Sequence, residues 1–151
     1  MHRIYENQEI TVFWNSEKCR HAKMCVGGSP DTFDFQRRPW VRLDLASNPE
    51  IWQAISKCPT GALSCVYNYE VTVVFEANKQ RSAAYYKDDL IGICEYEEID
   101  GAWNIYHTEV SEEYTGKSIA KRLVYKVIEA GEKACVDVVG SCSYADKVLR
   151  E

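Results

Sequence analysis

The sequence predicts an α+β protein made of two small domains, residues 1–68 and 69–151. Three observations carry that expectation. The first 68 residues read as a strand, a cysteine-bearing loop, a helix and a second strand. The remainder opens on β-rich runs and closes on the most amphipathic helix of the chain, followed by a short strand. The charge balance also changes at the boundary, with 8 basic and 7 acidic side chains before it and 10 and 16 after it. At 151 residues each half is short of core, so a bound group that ties its loops together would add stability.

Taken in order, ITVFW (10–14) is rich in β-formers and reads as a strand entering the loop CRHAKMC (19–25). Gly27-Gly28-Ser29-Pro30 is turn chemistry and is expected to end that loop. Ser47 and Glu50 stand at capping-box spacing with Pro49 between them, and Ile51, Ala54, Ile55 and Cys58 fall on one face of the helix that follows. That helix should carry Cys58 to the loop, Pro59 and Gly61 should stop it, and ALSCVY should leave as a strand. In the second half VTVVF, SAAYY, LIGICEYEE and, after the turn Asp100-Gly101, AWNIYHTEV read as successive antiparallel strands. Ile119, Leu123, Val127 and Ala120, Val124, Ile128 form adjacent rows at spacing four, with Lys121, Arg122, Lys126 and Glu129 on the opposite, solvated side. VDVVG reads as a buried strand and residues 145–150 as a short final helix.

The chemistry of the first half lies in Cys19, Cys25 and the Cys58-Pro59 pair. A C-x2-C-x2-C run delivers three thiolates from one loop, and a later Cys-Pro completes an iron–sulfur site. Here the middle position is Ala22, which has no donor atom. A fourth donor would be His21 or Cys65, and His21 is preferred because Cys65 is expected on the departing strand. On ligand count alone Cys19, His21, Cys25 and Cys58 also suit one zinc ion, and the bland alternative is reduced core cysteines. Cys94 and Cys135 read as buried packing residues, as does Cys65 if it is not a ligand. ITVFW, CRHAKMC, SPDTFDF (29–35), RRPWV (37–41) and CPTGAL (58–63), in that order, resemble the divergent mono-cluster 4Fe-4S ferredoxin family, whose pattern also has His where His21 stands. The resemblance implies a small ferredoxin-like domain holding a 4Fe-4S cluster, or a 3Fe-4S cluster if one corner is open.

In the second half HTEV (107–110), EYTGKSIAKRLV (113–124) and SCSYADKVL (141–149) resemble the small GCN5-related N-acetyltransferase-like family. The resemblance implies a compact antiparallel sheet with helices and an acetyl-CoA site. Val110 would pair with the pantetheine arm, and Gly116, Lys117, Ser118, Ile119 and Ala120 would hold the pyrophosphate at a helix N-terminus, with Lys121 and Arg122 in reach. The family's central Gly falls at Ser118 and its usual Arg or Gln at Thr115. Cys142 matches the family's Cys beside the acyl group, Tyr144 stands where an acid for the leaving thiolate is often placed, and Glu109 is the candidate general base. His107 reads as a satisfied polar group, and Trp40 as a packing residue.

The odd count of seven cysteines, with no secretory h-region in MHRIYENQEITVFW, leads us to expect a reducing cytoplasm. No apolar run approaches the roughly 20 residues of a membrane helix, and an acidic second half argues against nucleic acid. The expected partners are an amine or peptide acceptor, or a redox protein. Two functions follow: a cluster protein with acetyl-CoA-dependent N-acetyltransferase activity, or a non-enzymatic electron carrier or redox sensor with a degenerate acetyltransferase-like binding module.

Overall fold

Alternation in the first residues builds an antiparallel pair that pattern reading caught only in part. In the computed structural model, which describes residues 2–20 and 22–150 with the backbone alone at Tyr144 and Arg150, β1 (His2–Glu6) pairs β2 (Ile10–Asn15), and β3 (Leu63–Tyr67) pairs the other edge of β2. β1 escaped notice because only Ile4 among its five residues is a buried aliphatic.

Between these strands lie α1 (Met24–Gly28) and α2 (Asn48–Ser56). Gly27 and Gly28 are the last turn of α1, whereas the sequence suggested a turn outside any helix. A Cβ on Gly28 would stand 2.9 Å from the Cβ of Ala54, so the missing side chain is what lets α1 lie against α2. α2 starts as its sequence dictates, with the Ser47 hydroxyl accepting from the Glu50 N–H at 3.4 Å and Pro49 in the first turn. It ends at Ser56, before Cys58-Pro59, because the residue preceding proline is pushed out of the helical region. Ile51, Ala54 and Ile55 pack with Ile10, Val12, Phe33, Trp40, Val41 and Leu63 into one core.

The chain divides into two compact units, residues 1–67 and 68–151. In the second, β4 (Val71–Glu76), β5 (Arg81–Tyr86), β6 (Asp89–Ile99) and β7 (Ala102–Val110) form an antiparallel meander. α3 (Ile119–Lys133) then crosses over, and β8 (Val138–Gly140) joins β7 in parallel, making the sheet mixed, before α4 (Ser143–Arg150). β8 is three residues long with Val139 48% exposed, so VDVVG is an edge and not the buried strand expected. Two further expectations fail. Arg122 lies inside, with its guanidinium donating to the carbonyls of Asn68 (3.3 Å) and Val71 (2.9 Å), so it is no part of a solvated row. Cys135 is exposed, at a φ of 57° just beyond the α3 cap, where the chain turns instead of packing.

Candidate functional sites

β2, α1 and the end of α2 bring Cys19, Cys25 and Cys58 to the lining of one pocket. Trp14, Phe35 and Trp40 form its aromatic wall: the Trp14 and Trp40 rings meet edge to face at 5.0 Å, and Phe35 stacks on Trp40 at 5.0 Å. Arg37 shapes that wall, its guanidinium donating to the carbonyls of Asp31, Thr32, Pro39 and Trp40. Trp40 therefore lines the pocket as well as packing the domain.

The electrostatics distinguish the three thiols. Burial pushes Cys25 up, and the charges of Cys19 and Cys58 add to that rise. Burial also acts to raise Cys58, yet the backbone N–H groups of Leu63, Thr60 and Ala62 and the Thr60 hydroxyl, 3.8 Å from the sulfur, outweigh it and hold Cys58 below the ordinary thiol value. Cys65 stands opposite Val12 in the sheet, outside the pocket lining, and burial pushes it up to about 12. His21 lies outside the described residues.

Two atoms test whether these residues suit a cluster. Trp14 and Trp40 line the pocket, and their buried indole Nε1 groups have no acceptor among the described residues, a costly arrangement unless something else takes the hydrogen bonds. Sulfur ligands and sulfides are such acceptors. Among the described residues no three His, Cys, Asp or Glu side chains stand close enough to share one metal ion.

In the second unit Val110, Gly116, Ser118, Ile119 and Ala120 line a groove of about 350 Å³, joined by Tyr114 and Thr115. Gly116 has a φ of 83° and Ser118 of 59°, so the loop is left-handed at two points before α3 begins, and the Ser118 side chain does not cap the helix. A glycine at 118, as in the family pattern, would adopt that angle without strain. Lys117 does not line the groove; its ammonium lies 4.4 Å from the Tyr69 ring centroid. That of Lys121 lies 5.8 Å from the Tyr125 ring, and Arg122 is buried as described. The basic row is thus held away from the groove.

β8 pairs with β7 only over Trp103–Ile105, leaving Tyr106–Val110 without a β8 partner. Cys142 stands at this splay as the residue before α4, its sulfur accepting from the Ala145 N–H at 3.3 Å and lying 3.7 Å from the Thr108 hydroxyl. Thr108 also donates to the buried Cys94 sulfur at 3.6 Å, a role that sequence reading missed although the residue lies inside HTEV. Side chains alternate along a strand, so His107 and Glu109 project to the face opposite Thr108. Glu109 is exposed, with its carboxylate 3.3 Å from His107 Nε2. The structure therefore brings Cys142 to Thr108 and Glu109 to His107, and does not bring Glu109 to Cys142. The Tyr144 side chain lies outside the described residues.

Comparison with known proteins matches these two units separately. Residues 5–68 match the family described as divergent 4Fe-4S mono-cluster, and residues 75–151 the GCN5-related N-acetyl-transferase family. The uncharacterized protein YjdI of Escherichia coli K12 is 34% identical over 62 residues, which are 41% of this chain and 82% of YjdI. Among solved structures, Arabidopsis thaliana Naa50 in complex with a bisubstrate analogue is 28% identical over 36% of this chain and 40% of its own, with a TM-score of 0.29. A GCN5-related N-acetyltransferase from Sphaerobacter thermophilus is 17% identical over 99% and 44%, with a TM-score of 0.41. The two family matches fall in the order of the two units, and the chain belongs to the GCN5-related N-acetyl-transferase family, carrying a divergent 4Fe-4S mono-cluster unit ahead of it.

Proposed function

We propose that this protein binds an iron–sulfur cluster in its first unit and acetyl-CoA in its second, and transfers the acetyl group to an amine. The observation that carries the cluster reading is the convergence of three thiols on one pocket lined by Trp14 and Trp40, whose buried indole N–H groups have no acceptor among the described residues. Cys19, Cys25 and Cys58 would hold the cluster, with His21 the proposed fourth donor. The group would supply one-electron chemistry. The chain's part is to hold three sulfurs, direct N–H groups at Cys58 and keep water out with Trp14, Trp40 and Phe35.

For acyl transfer, the groove from Tyr114 to Ala120 supplies backbone N–H groups at the start of α3 for the pyrophosphate, and the unpaired edge of β7 near Val110 suits the amides of an extended pantetheine arm. Glu109, whose carboxylate lies on the face of β7 opposite Cys142 and 3.3 Å from His107, would take a proton from the incoming ammonium before the amine reaches the acyl group. The neutral amine nitrogen then bonds to the thioester carbon, the carbon–sulfur bond breaks, the departing thiolate takes a proton from the acid that the family resemblance assigns to Tyr144, and the second proton that the nitrogen sheds as the amide forms restores that acid. Cys142 would sit beside the acyl group.

One specific observation favours a second reading, a cluster protein whose groove binds without turnover: Lys117, Lys121 and Arg122 all point elsewhere. Iron, zinc and acid-labile sulfide analysis of anaerobically purified protein tests the first unit. About four irons and four sulfides per chain support the cluster, and one zinc without sulfide removes it. Acetyl-CoA at 100 times its Kd stabilises a native state that binds it by about 2.7 kcal/mol. A melting temperature indifferent to millimolar acetyl-CoA would remove the transferase reading, and stabilisation without product would favour the second.

A further inference from the structure

We infer that the mouth of the thiol pocket is a docking surface for an acidic redox protein, an inference that rests on the cluster reading above. Arg20 and Lys23 line the pocket, and the segments that carry its lining residues, 16–20, 22–28, 34–39 and 57–61, add the basic side chains Lys18, Arg37, Arg38 and Lys57 against the acidic Glu17 and Asp34. The rest of the same unit reverses the balance, with Arg3 and Arg42 against Glu6, Glu9, Asp31, Asp44 and Glu50. Cations kept only for solubility would be interspersed with acids over the whole surface. Here they concentrate in the segments that carry the lining of one pocket, in a chain whose net charge is −5.

Their roles divide further. Arg37 is committed to the loop carbonyls, and Arg38 donates to the carbonyls of Phe35 and Arg37. Lys18, Arg20, Lys23 and Lys57 are exposed; Arg20 and Lys23 line the pocket, and no carboxylate stands among its described lining residues. Among these cations Met24 is 47% exposed and Phe35 37%, Phe35 stacking on the buried Trp40. An apolar centre inside a charged rim is the anatomy of a transient protein interface, and complementary charge speeds the encounter. Electron transfer weakens steeply with distance, so a partner would approach a cluster held by Cys19, Cys25 and Cys58 through the opening of the pocket that these thiols line. The exposed Met24 and Phe35 favour a folded protein over a phosphate backbone, which has no apolar surface to bury against them.

The test uses the full chain, purified anaerobically, with iron, sulfide and optical spectrum recorded on each sample. The protein is titrated at low salt by calorimetry with poly-L-glutamate, poly-L-lysine and random-sequence duplex DNA. Its reduced form is then oxidised in stopped flow by hexacyanoferrate(III), an anion, and hexaamminecobalt(III), a cation, at rising ionic strength. We expect binding of poly-L-glutamate alone, and oxidation by the anion that slows about tenfold or more with salt while oxidation by the cation does not slow. The double variant Arg20→Glu with Lys57→Glu should abolish poly-L-glutamate binding and reverse that preference. Salt-independent oxidation of protein with full iron content would overturn the docking surface and leave the cluster reading standing. Protein without iron or sulfide would overturn both, and tighter binding of DNA than of poly-L-glutamate would overturn the acidic protein as occupant.

Discussion

Cys58 and Cys142 share a device: each sulfur receives backbone N–H groups, from Thr60, Ala62 and Leu63 in one case and from Ala145 in the other. A donor aimed at a cluster sulfur favours the more negative, reduced state. Thr60→Val keeps the shape and removes one hydroxyl donor, so it should lower the reduction potential. One hydrogen bond of about 1 kcal/mol corresponds to roughly 40 mV for a one-electron couple, measurable by voltammetry on protein of unchanged iron content. An unshifted potential would show that the Thr60 hydroxyl does not reach the cluster sulfur. At the other site, Ser118 holds a left-handed angle at a cost of about 1 kcal/mol, so Ser118→Gly should leave stability unchanged or raise it by up to that amount. Urea unfolding reads this directly, and a clear loss would mean that the serine hydroxyl has a partner worth more than the strain.

Where two elements touch, the tolerances are tighter. Gly28→Ala would drive a methyl group into the Ala54 side chain and backbone, 2.9 and 3.0 Å away, and neither can swing aside. Because α1 carries Cys25, the variant should lose about 1–3 kcal/mol and also iron per chain. Retention of both would mean that α1 shifts freely. On the β4–β5 hairpin, the Arg81 guanidinium 2.7 Å from Glu76, with help from the Tyr85 hydroxyl, holds the Glu76 carboxyl below its usual range. A depressed carboxyl contributes stability that is present above its unfolded value of about 4.3 and is lost as pH falls through the folded one. Glu76→Gln should therefore lower the melting temperature at pH 7 by an amount worth less than about 1 kcal/mol, and the difference should shrink as pH falls below the unfolded value. A difference that does not change with pH would assign the effect to packing.

At the scale of the whole molecule there are two cores, 1–67 and 68–151, and each candidate ligand belongs to one of them. Scanning calorimetry should show two transitions, with iron removal lowering one and acetyl-CoA raising the other; a single transition moved by both would contradict independent units. Much of this was legible in the chain. β2, α2, the meander and α3 follow from local alternation, capping and spacing of four, which depend on neighbours in sequence. The three candidate cysteines and the loop before α3 were readable because they stand in short motifs. Arg122 was not, because a helical face scores arginine as polar, and only the carbonyls of Asn68 and Val71, more than 50 residues away, make burial acceptable. Nor were the acceptorless indoles of Trp14 and Trp40, the retreat of Lys117 to Tyr69, or the separation of Glu109 from Cys142 by the face of one strand. By itself the sequence determined most of the elements that form and named the candidate side chains for the chemistry. The tertiary structure alone decided which of them meet, since that depends on contacts between residues far apart along the chain.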